Sequence, residues 1–313
     1  MRILFTGISS FTGFWFARTL AAKGHEIVGT LSGSSARYEG VRARRIEQLK
    51  SLCRLVPDLP FGSDAFLRFV AGEGPWDLLC HHAANVTNYK SPEFDIHHAV
   101  QANTLNLRQV LSTLKRASLK AVILTGTFFE NDEGLGSQPL RAFSPYGLSK
   151  GLTWQVFRYY CRQAEVPLAK FVIPNPFGPF EEERFTAYLL RAWRSKKAAA
   201  VNTPDYVRDN MPVDLLAEVY VRFADQVLAR LTPESRINPS AYVESQGAFA
   251  LRVAREVRQR LGWACELDLA RQTDFTEPFM RVNFEPAFRL VPEWSETAFW
   301  DSFTAFYEKS LAH

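Results

Sequence analysis

The stretch Met1-Arg-Ile-Leu-Phe-Thr-Gly-Ile-Ser-Ser-Phe-Thr-Gly13 decides the fold. Ile3-Leu4-Phe5 is an unbroken apolar run, as a strand buried on both faces requires. The run stops at Thr6-Gly7, and Phe14, Ala17, Leu20 and Ala21 then recur at helical spacing. A strand that turns tightly into a helix aims the helix's free N–H groups and the positive end of its dipole at one point, which suits a pyrophosphate. In Gly7-x-x-Ser10-x-x-Gly13, Gly7 permits the turn and Gly13 lets the helix approach the strand. Ser10 stands where a middle glycine is usual; it is small, brings a hydroxyl donor, and is followed by Phe11. Gly7, Ser10, Phe11 and Gly13 are the expected contacts to the phosphates of a dinucleotide.

Downstream the alternation repeats. His25–Leu31 reads as a second strand, Leu52–Leu59 as a third ending at Asp58, and Trp76–Ala84 as a fourth. Ala121–Gly126 and Leu168–Ile173 are the fifth and sixth. Lys23-Gly24 closes the first helix, and Ser63 caps a short one carrying Phe66 and Phe69. Two serine–proline pairs open longer helices: Ser91-Pro92, predicted to start the longest helix and run to about Ala117, and Ser144-Pro145, running to about Ala164. Strands alternating with helices build a parallel, doubly wound α/β sheet, because parallel neighbours need crossover connections. Beyond Pro174 the pattern loosens, with further prolines at 176 and 179 and the acidic run Glu181-Glu-Glu183. The expected division is a dinucleotide-binding domain over 1–174, to which a helix within 211–232 returns, and a smaller mixed lobe over 175–210 and 233–313. That lobe contains helices predicted at Gln246–Leu261 and Ser295–Leu311.

Composition excludes several classes. The 313 residues, 47% hydrophobic and 22% charged, are those of a globular protein with a sizeable core. The net charge of +4 comes from scattered arginines without a basic block, which argues against nucleic acid as a partner. Cys53, Cys80, Cys161 and Cys265 lie far apart with no Cys-x-x-Cys pair, so free thiols are expected rather than disulfides or a zinc site. No apolar run reaches membrane-spanning length and no leader precedes the first strand, so a soluble cytoplasmic protein is expected. His81-His82 and His97-His98 lack carboxylates at ligand spacing beyond Asp95, and no metal is expected.

Tyr146-Gly-Leu-Ser-Lys150 places a phenol and an ammonium one helical turn apart. A cation there favours the phenolate and equips Tyr146 for proton transfer near neutral pH. The pair opens a helix directly after the fifth strand. Thr6-Gly7…Gly13, Asp58, His82-Ala83-Ala84, Asn103, Tyr146-x-x-x-Lys150 and Asn175-Pro-Phe-Gly-Pro179 occur in the order of extended short-chain dehydrogenases/reductases. Nearly the whole chain resembles their nucleotide-sugar epimerase/dehydratase/ketoreductase branch, with a Rossmann-type sheet.

The resemblance implies that Tyr146 is the acid/base, that Lys150 also holds the nicotinamide ribose, and that a Ser or Thr after the fifth strand completes the set. Thr125 and Thr127 compete for that place, and alignment on the strand end favours Thr127. Further expected cofactor contacts are Asp58, Leu59, Ala83 and Ala84. Asn85, Asn175, Arg184 and Arg208 are the expected substrate contacts, the last three near the diphosphate. Pro212 replaces the histidine usual four residues after the Arg208 position. The 4,6-dehydratases carry an acidic pair after the catalytic Thr; Phe128-Phe129 stands here, which disfavours dehydration. At the end of the second strand Leu31 replaces an acidic residue, and Ser32, Ser34, Ser35 and Arg37 follow, which favours NADP over NAD. The expectation is NADPH-dependent reduction of a 4-keto nucleotide-diphosphate sugar to a deoxysugar, with epimerisation as the alternative and a non-catalytic NADP-sensing regulator as a remote one. A homodimer is expected from the resemblance.

Overall fold

The computed structural model describes residues 1–311. The N-terminal run forms β1 (Arg2–Thr6), and α1 (Phe11–Ala22) follows the turn. Next come β2 (Glu26–Thr30), α2 (Gly40–Leu49), β3 (Arg54–Val56), α3 (Asp64–Gly72) and β4 (Leu78–His81). They are followed by α4 (Ile96–Thr104), α5 (Leu107–Arg116), β5 (Ala121–Thr127), α6 (Pro145–Gln163) and β6 (Leu168–Ile173). Later in the chain α7 (Val213–Arg230) leads to β7 (Glu234–Ile237). These seven strands make one parallel sheet in the order β7-β6-β5-β4-β1-β2-β3. The order reverses between β1 and β4, and in such sheets ligands bind beyond the strand ends at that reversal. The fold is the doubly wound Rossmann-type α/β sheet expected.

Four local readings are corrected. The helix predicted from Ser91-Pro92 to Ala117 is two helices, and α6 is the longest. Ser91 makes a turn, its hydroxyl accepting from the Glu93 amide, while Asp95 caps α4 through the His98 amide. Asn106 then adopts φ +50° and donates to the Gly62 carbonyl at 2.9 Å, which breaks the helix before α5. Helix α2 was not expected, because three arginines (Arg42, Arg44, Arg45) obscure its apolar positions. β7 adds a seventh strand, and β3 and β4 are shorter than the runs that predicted them.

The chain divides into two units. The first comprises Met1–Glu133, Arg141–Ile173 and Ala217–Asn238. One of its cores buries Leu4, Leu79 and Val122 of the sheet against Val110, Leu111 and Leu114 of α5 and Trp154 and Phe157 of α6. The second comprises Gly134–Leu140, Pro174–Leu216 and the chain from Pro239. It is built on a three-stranded sheet in which Val207–Pro212 pairs parallel with Asn175–Phe177 and antiparallel with Tyr242–Ser245. Phe177 is its centre, with the rings of Phe249, Phe299, Trp300 and Phe303 at 5.0–6.0 Å. Phe299, Trp300, Phe303 and Tyr307 of the last helix (Glu296–Ser310) are thus core. All four cysteines are buried free thiols, and burial pushes the Cys80 thiol up to about 12.

Candidate active site

The Gly7–Gly13 turn has no room for side chains. A Cβ on Gly7 would lie 2.6 Å from the Ala83 amide nitrogen, and one on Gly13 would lie 2.3 Å from the Gly7 carbonyl oxygen. Gly7 also takes φ +74°, which a residue with a Cβ resists. Ser10 caps α1: its hydroxyl accepts from the Gly13 amide at 3.1 Å and donates to the Gly7 carbonyl at 2.9 Å. The Ser10 hydroxyl is therefore engaged inside the turn. The backbone-lined turn at a helix N-terminus fits a dinucleotide pyrophosphate.

Beneath the turn sits His82, which the sequence offered only as part of a motif. Its Nδ1 is 2.9 Å from the Thr125 hydroxyl, and its Nε2 is 3.0 Å from the hydroxyls of both Ser10 and Thr12. Because the Ser10 proton goes to Gly7, Nε2 carries the imidazole proton and Nδ1 accepts from Thr125. His81 points the opposite way, with Nδ1 on Thr6 and Nε2 donating to the Asn103 carbonyl at 3.1 Å. Burial, with help from the nearby Lys150 ammonium, lowers both rings to about 3, so both are neutral at working pH. Among the described residues no cluster of histidines, cysteines and carboxylates is arranged to hold a metal.

At the end of β5 the two threonines separate. Thr125 is committed to His82, whereas Thr127 ends the strand where α6 begins. Ser144 caps α6 through the Gly147 amide, and Pro145 occupies its first turn. A Cβ at Gly147 would meet the Phe129 carbonyl oxygen at 2.2 Å, so Gly147 alone lets α6 start against the Thr127–Phe129 segment. The Tyr146 ring lies edge-on to Tyr89, Phe94 and Phe129 at 5.4–6.4 Å. Lys150 is 4% exposed. Burial lowers its ammonium to about 8; Glu130 opposes that shift, and Lys170 adds to it. Asn103 ties α4 to α6, donating to Thr153 and accepting from the Asn85 amide.

Glu130 and Lys170, neither singled out from sequence, close this end of the sheet. Glu130 Oε1 accepts from the Thr127 amide at 2.8 Å, and its Oε2 takes Lys170 Nζ at 2.5 Å. Lys170 also reaches Glu133 at 2.5 Å, and Glu133 is held by Arg236 and Asn238. The signal in the sequence was a lysine inside the apolar strand Leu168–Ile173, a position that demands a buried partner.

At the other end of the crevice Leu31 is buried, and Leu59 donates its amide to the Leu31 carbonyl at 2.8 Å. Asp58 is exposed at φ +54°, bonded through its amide to the Gly33 carbonyl. Ser32 and Arg37 are exposed on the loop after β2. Unexpected helix α2 adds two further cations: Arg42 donates to the Ser9 hydroxyl at 3.2 Å and lies over Tyr38, and fully buried Arg45 donates to the Ser9 carbonyl at 3.1 Å.

In the second unit Asn175 pairs in register with Asn210. Arg184 precedes the helix Phe185–Arg194 and donates its amide to the Glu182 carbonyl. Arg208 is buried on Tyr206, paired with Glu277 at 2.8 Å and bonded to the carbonyls of Val207 and Pro278.

The family model described as the NAD dependent epimerase/dehydratase family matches residues 3–238, the stretch carrying the turn, the Tyr–Lys pair and the sheet. The chain belongs to the NAD-dependent epimerase/dehydratase family. It is accordingly an enzyme that uses a nicotinamide dinucleotide. Solved structures agree in fold along the full length. A UDP-glucuronic acid 4-epimerase mutant from Bacillus cereus, in complex with a 4-deoxy-4-fluoro substrate analogue and NAD, has a TM-score of 0.77 at 18% identity, over 99% of this chain and 100% of that one. A UDP-glucose-4-epimerase from Stenotrophomonas maltophila with bound NAD has 0.76 at 16%, over 100% of both chains. A dTDP-glucose 4,6-dehydratase from Streptomyces venezuelae with NAD bound has 0.74 at 15%, over 100% of this chain and 98% of that one. No curated protein matches in sequence. Among the described residues no helix is long and apolar enough to cross a membrane.

Proposed function

We propose that this epimerase/dehydratase family member is an NADPH-dependent reductase of a 4-keto nucleotide-diphosphate sugar. The observation that supports the reading is the meeting of α6 with the segment after β5, where a Cβ at Gly147 would meet the Phe129 carbonyl oxygen at 2.2 Å and the Tyr146 ring lies edge-on to Phe129. Ala83, Ala84, Asp58 and Leu59 line the path of the dinucleotide, with Lys150 at the nicotinamide ribose. The chemistry that a bound nicotinamide supplies is hydride transfer at the keto carbon. Tyr146 moves the proton at the keto oxygen, Thr127 donates a hydrogen bond to that oxygen, and the Lys150 ammonium favours the phenolate of Tyr146.

Two features separate this reading from dehydration and from NAD use. Phe128 and Phe129 carry no proton, and Glu130, the next acidic side chain, is fully buried on Lys170. Leu31 supplies no carboxylate to repel a 2′-phosphate, and Arg37 and Arg42 supply charge to attract one. On the substrate side, Asn85, Asn175, Arg184 and Arg208 are assigned to the nucleotide sugar. A diphosphate engages Arg208 by displacing Glu277, because that carboxylate holds the guanidinium. Epimerisation through a transient keto sugar is the second reading, favoured by the epimerases among the structural neighbours. A cytoplasmic homodimer completes the proposal.

The decisive experiment incubates the protein with NADPH and a panel of 4-keto nucleotide sugars. Stoichiometric NADPH oxidation with a deoxysugar product is expected; turnover of a 4-hydroxy sugar without NADPH consumption would establish the epimerase instead. Tyr146→Phe is expected to lower turnover by about 100-fold or more while nucleotide affinity holds. Retained activity in that variant sinks the assignment.

A further inference from the structure

The end of β5 is held by charge. Thr127 and Glu130 bond reciprocally: the Thr127 amide donates to Glu130 Oε1 at 2.8 Å, and the Glu130 amide donates to the Thr127 carbonyl at 3.1 Å. The other Glu130 oxygen takes Lys170, whose ammonium also takes Glu133 and lies 4.9 Å over the Trp154 ring. Glu130, Glu133 and Lys170 are each at most 2% exposed. Two carboxylates and one ammonium leave a net negative charge, which Arg236 balances through Glu133 at 3.3 Å. The strand gives up a side chain for this arrangement: a Cβ at Gly126 would lie 2.6 Å from Lys170 Cε and 2.9 Å from Glu130 Oε1.

We infer that Glu130 and Lys170 are positioning residues that fix the backbone at Thr127 and, by their opposed charges, set the protonation of Lys150. This rests on the proposed roles of Thr127, Tyr146 and Lys150. A buried ammonium is stabilised by a nearby carboxylate and destabilised by a second ammonium, and in low-dielectric surroundings both effects carry further than in water. A Cβ at Gly151, the residue after Lys150, would lie 3.9 Å from Glu130 Cβ, so α6 passes Glu130 beside Lys150. The other titratable groups around Lys150 are Lys170 on β6, His81 and His82 at the end of β4, and Tyr146 on its own helix. Both histidines are neutral, so the charge balance falls to Glu130 and Lys170. The first holds Lys150 protonated, and the second acts to discharge it.

The two residues therefore act in opposite directions, which a purely structural role does not reproduce. The test follows Lys150 directly, by NMR titration of the full chain labelled with 13Cε-lysine, the resonance being identified by its loss in Lys150→Arg. Glu130→Gln is expected to move the Lys150 midpoint to lower pH, and Lys170→Met to higher pH. In both variants turnover falls by about 10- to 100-fold while NADPH affinity, read by nucleotide fluorescence, is unchanged. An unmoved midpoint, or shifts in the same direction, overturns the inference. If Lys170→Met does not fold, Glu130→Gln decides alone, since it keeps an oxygen for the Thr127 amide and leaves Lys170 with Glu133. The Thr127 amide of the unaltered chain is expected to exchange slowly with solvent, and rapid exchange overturns the positioning half. None of these readouts needs a sugar except turnover, so a wrong substrate assignment shows separately, as an intact Lys150 titration with no reaction.

Discussion

Two buried polar clusters support the crevice of the first unit, and they are built on different principles. Under the glycine turn, His82 is linked to Ser10, Thr12 and Thr125 by neutral hydrogen bonds. Under Thr127, four charged side chains are matched against one another. The neutral cluster has nothing to titrate near pH 7, so the phosphate end of the crevice keeps one shape across the working range. The charged cluster borders Thr127 and the residues proposed to exchange protons, where a field is useful and its cost in desolvation is offset by pairing. The difference suggests that hydrogen bonds fix geometry where only geometry is needed, and that charge is buried where a neighbouring group must be tuned.

The largest expected effect breaks the charged side. Lys170→Met leaves Glu130 and Glu133 buried without their ammonium and should cost roughly 3–5 kcal/mol of stability in urea unfolding. The double variant Glu130→Gln, Lys170→Met should recover part of that loss; strict additivity of the two changes would show that the pair does not act as a unit.

Acid acts next, and it sets the two units against each other. His81 and His82 are held near 3 in the folded state against 6.5 in an open chain. Between those values the unfolded chain binds the extra protons, so stability is lost as pH falls, by about 1.4 kcal/mol per unit for each ring. Glu130, raised by burial, opposes them in the same unit. In the second unit, buried Glu181 is raised to about 7, so there the folded state binds the extra proton and stability rises as pH falls from 7 towards 4.5. Hydrogen exchange at pH 7 and pH 5, corrected for intrinsic rates, should show sheet amides of the first unit loosening and those around Gly178 and Thr186 tightening. Uniform loosening would contradict the assignment. The smallest effect lies in the neutral cluster: Ser10→Ala removes the α1 cap and should cost about 1 kcal/mol by thermal unfolding.

Much of this was legible in the sequence because it is local. The β1–α1 turn, the Ser144-Pro145 start of α6, the limits of β6 and the helix Gln246–Leu261 all follow from neighbouring residues. What escaped was fixed from a distance. The break before α5 depends on Gly62, 44 residues away, and α2 hides its inward face behind arginines, of which Arg45 turns into the core to reach Ser9. β7 is a polar edge strand that becomes recognisable only beside β6. Strand-end position favours Thr127 over Thr125 in the sequence, whereas the link from Thr127 to Lys170 through Glu130 crosses from β5 to β6 and leaves no spacing to read. A charged residue in an apolar strand was the available clue.

The bare backbone at Gly126 also constrains how this site can change over generations. Its missing side chain and the long stem of Lys170 occupy one volume, so neither position can be substituted freely while the other stays as it is. A methyl group at 126 becomes tolerable only after 170 has shortened, and by then Glu130 has lost its counter-charge. Lineages that keep this lysine are thereby held to glycine one residue before Thr127, and escape requires the changes to arrive in a set order.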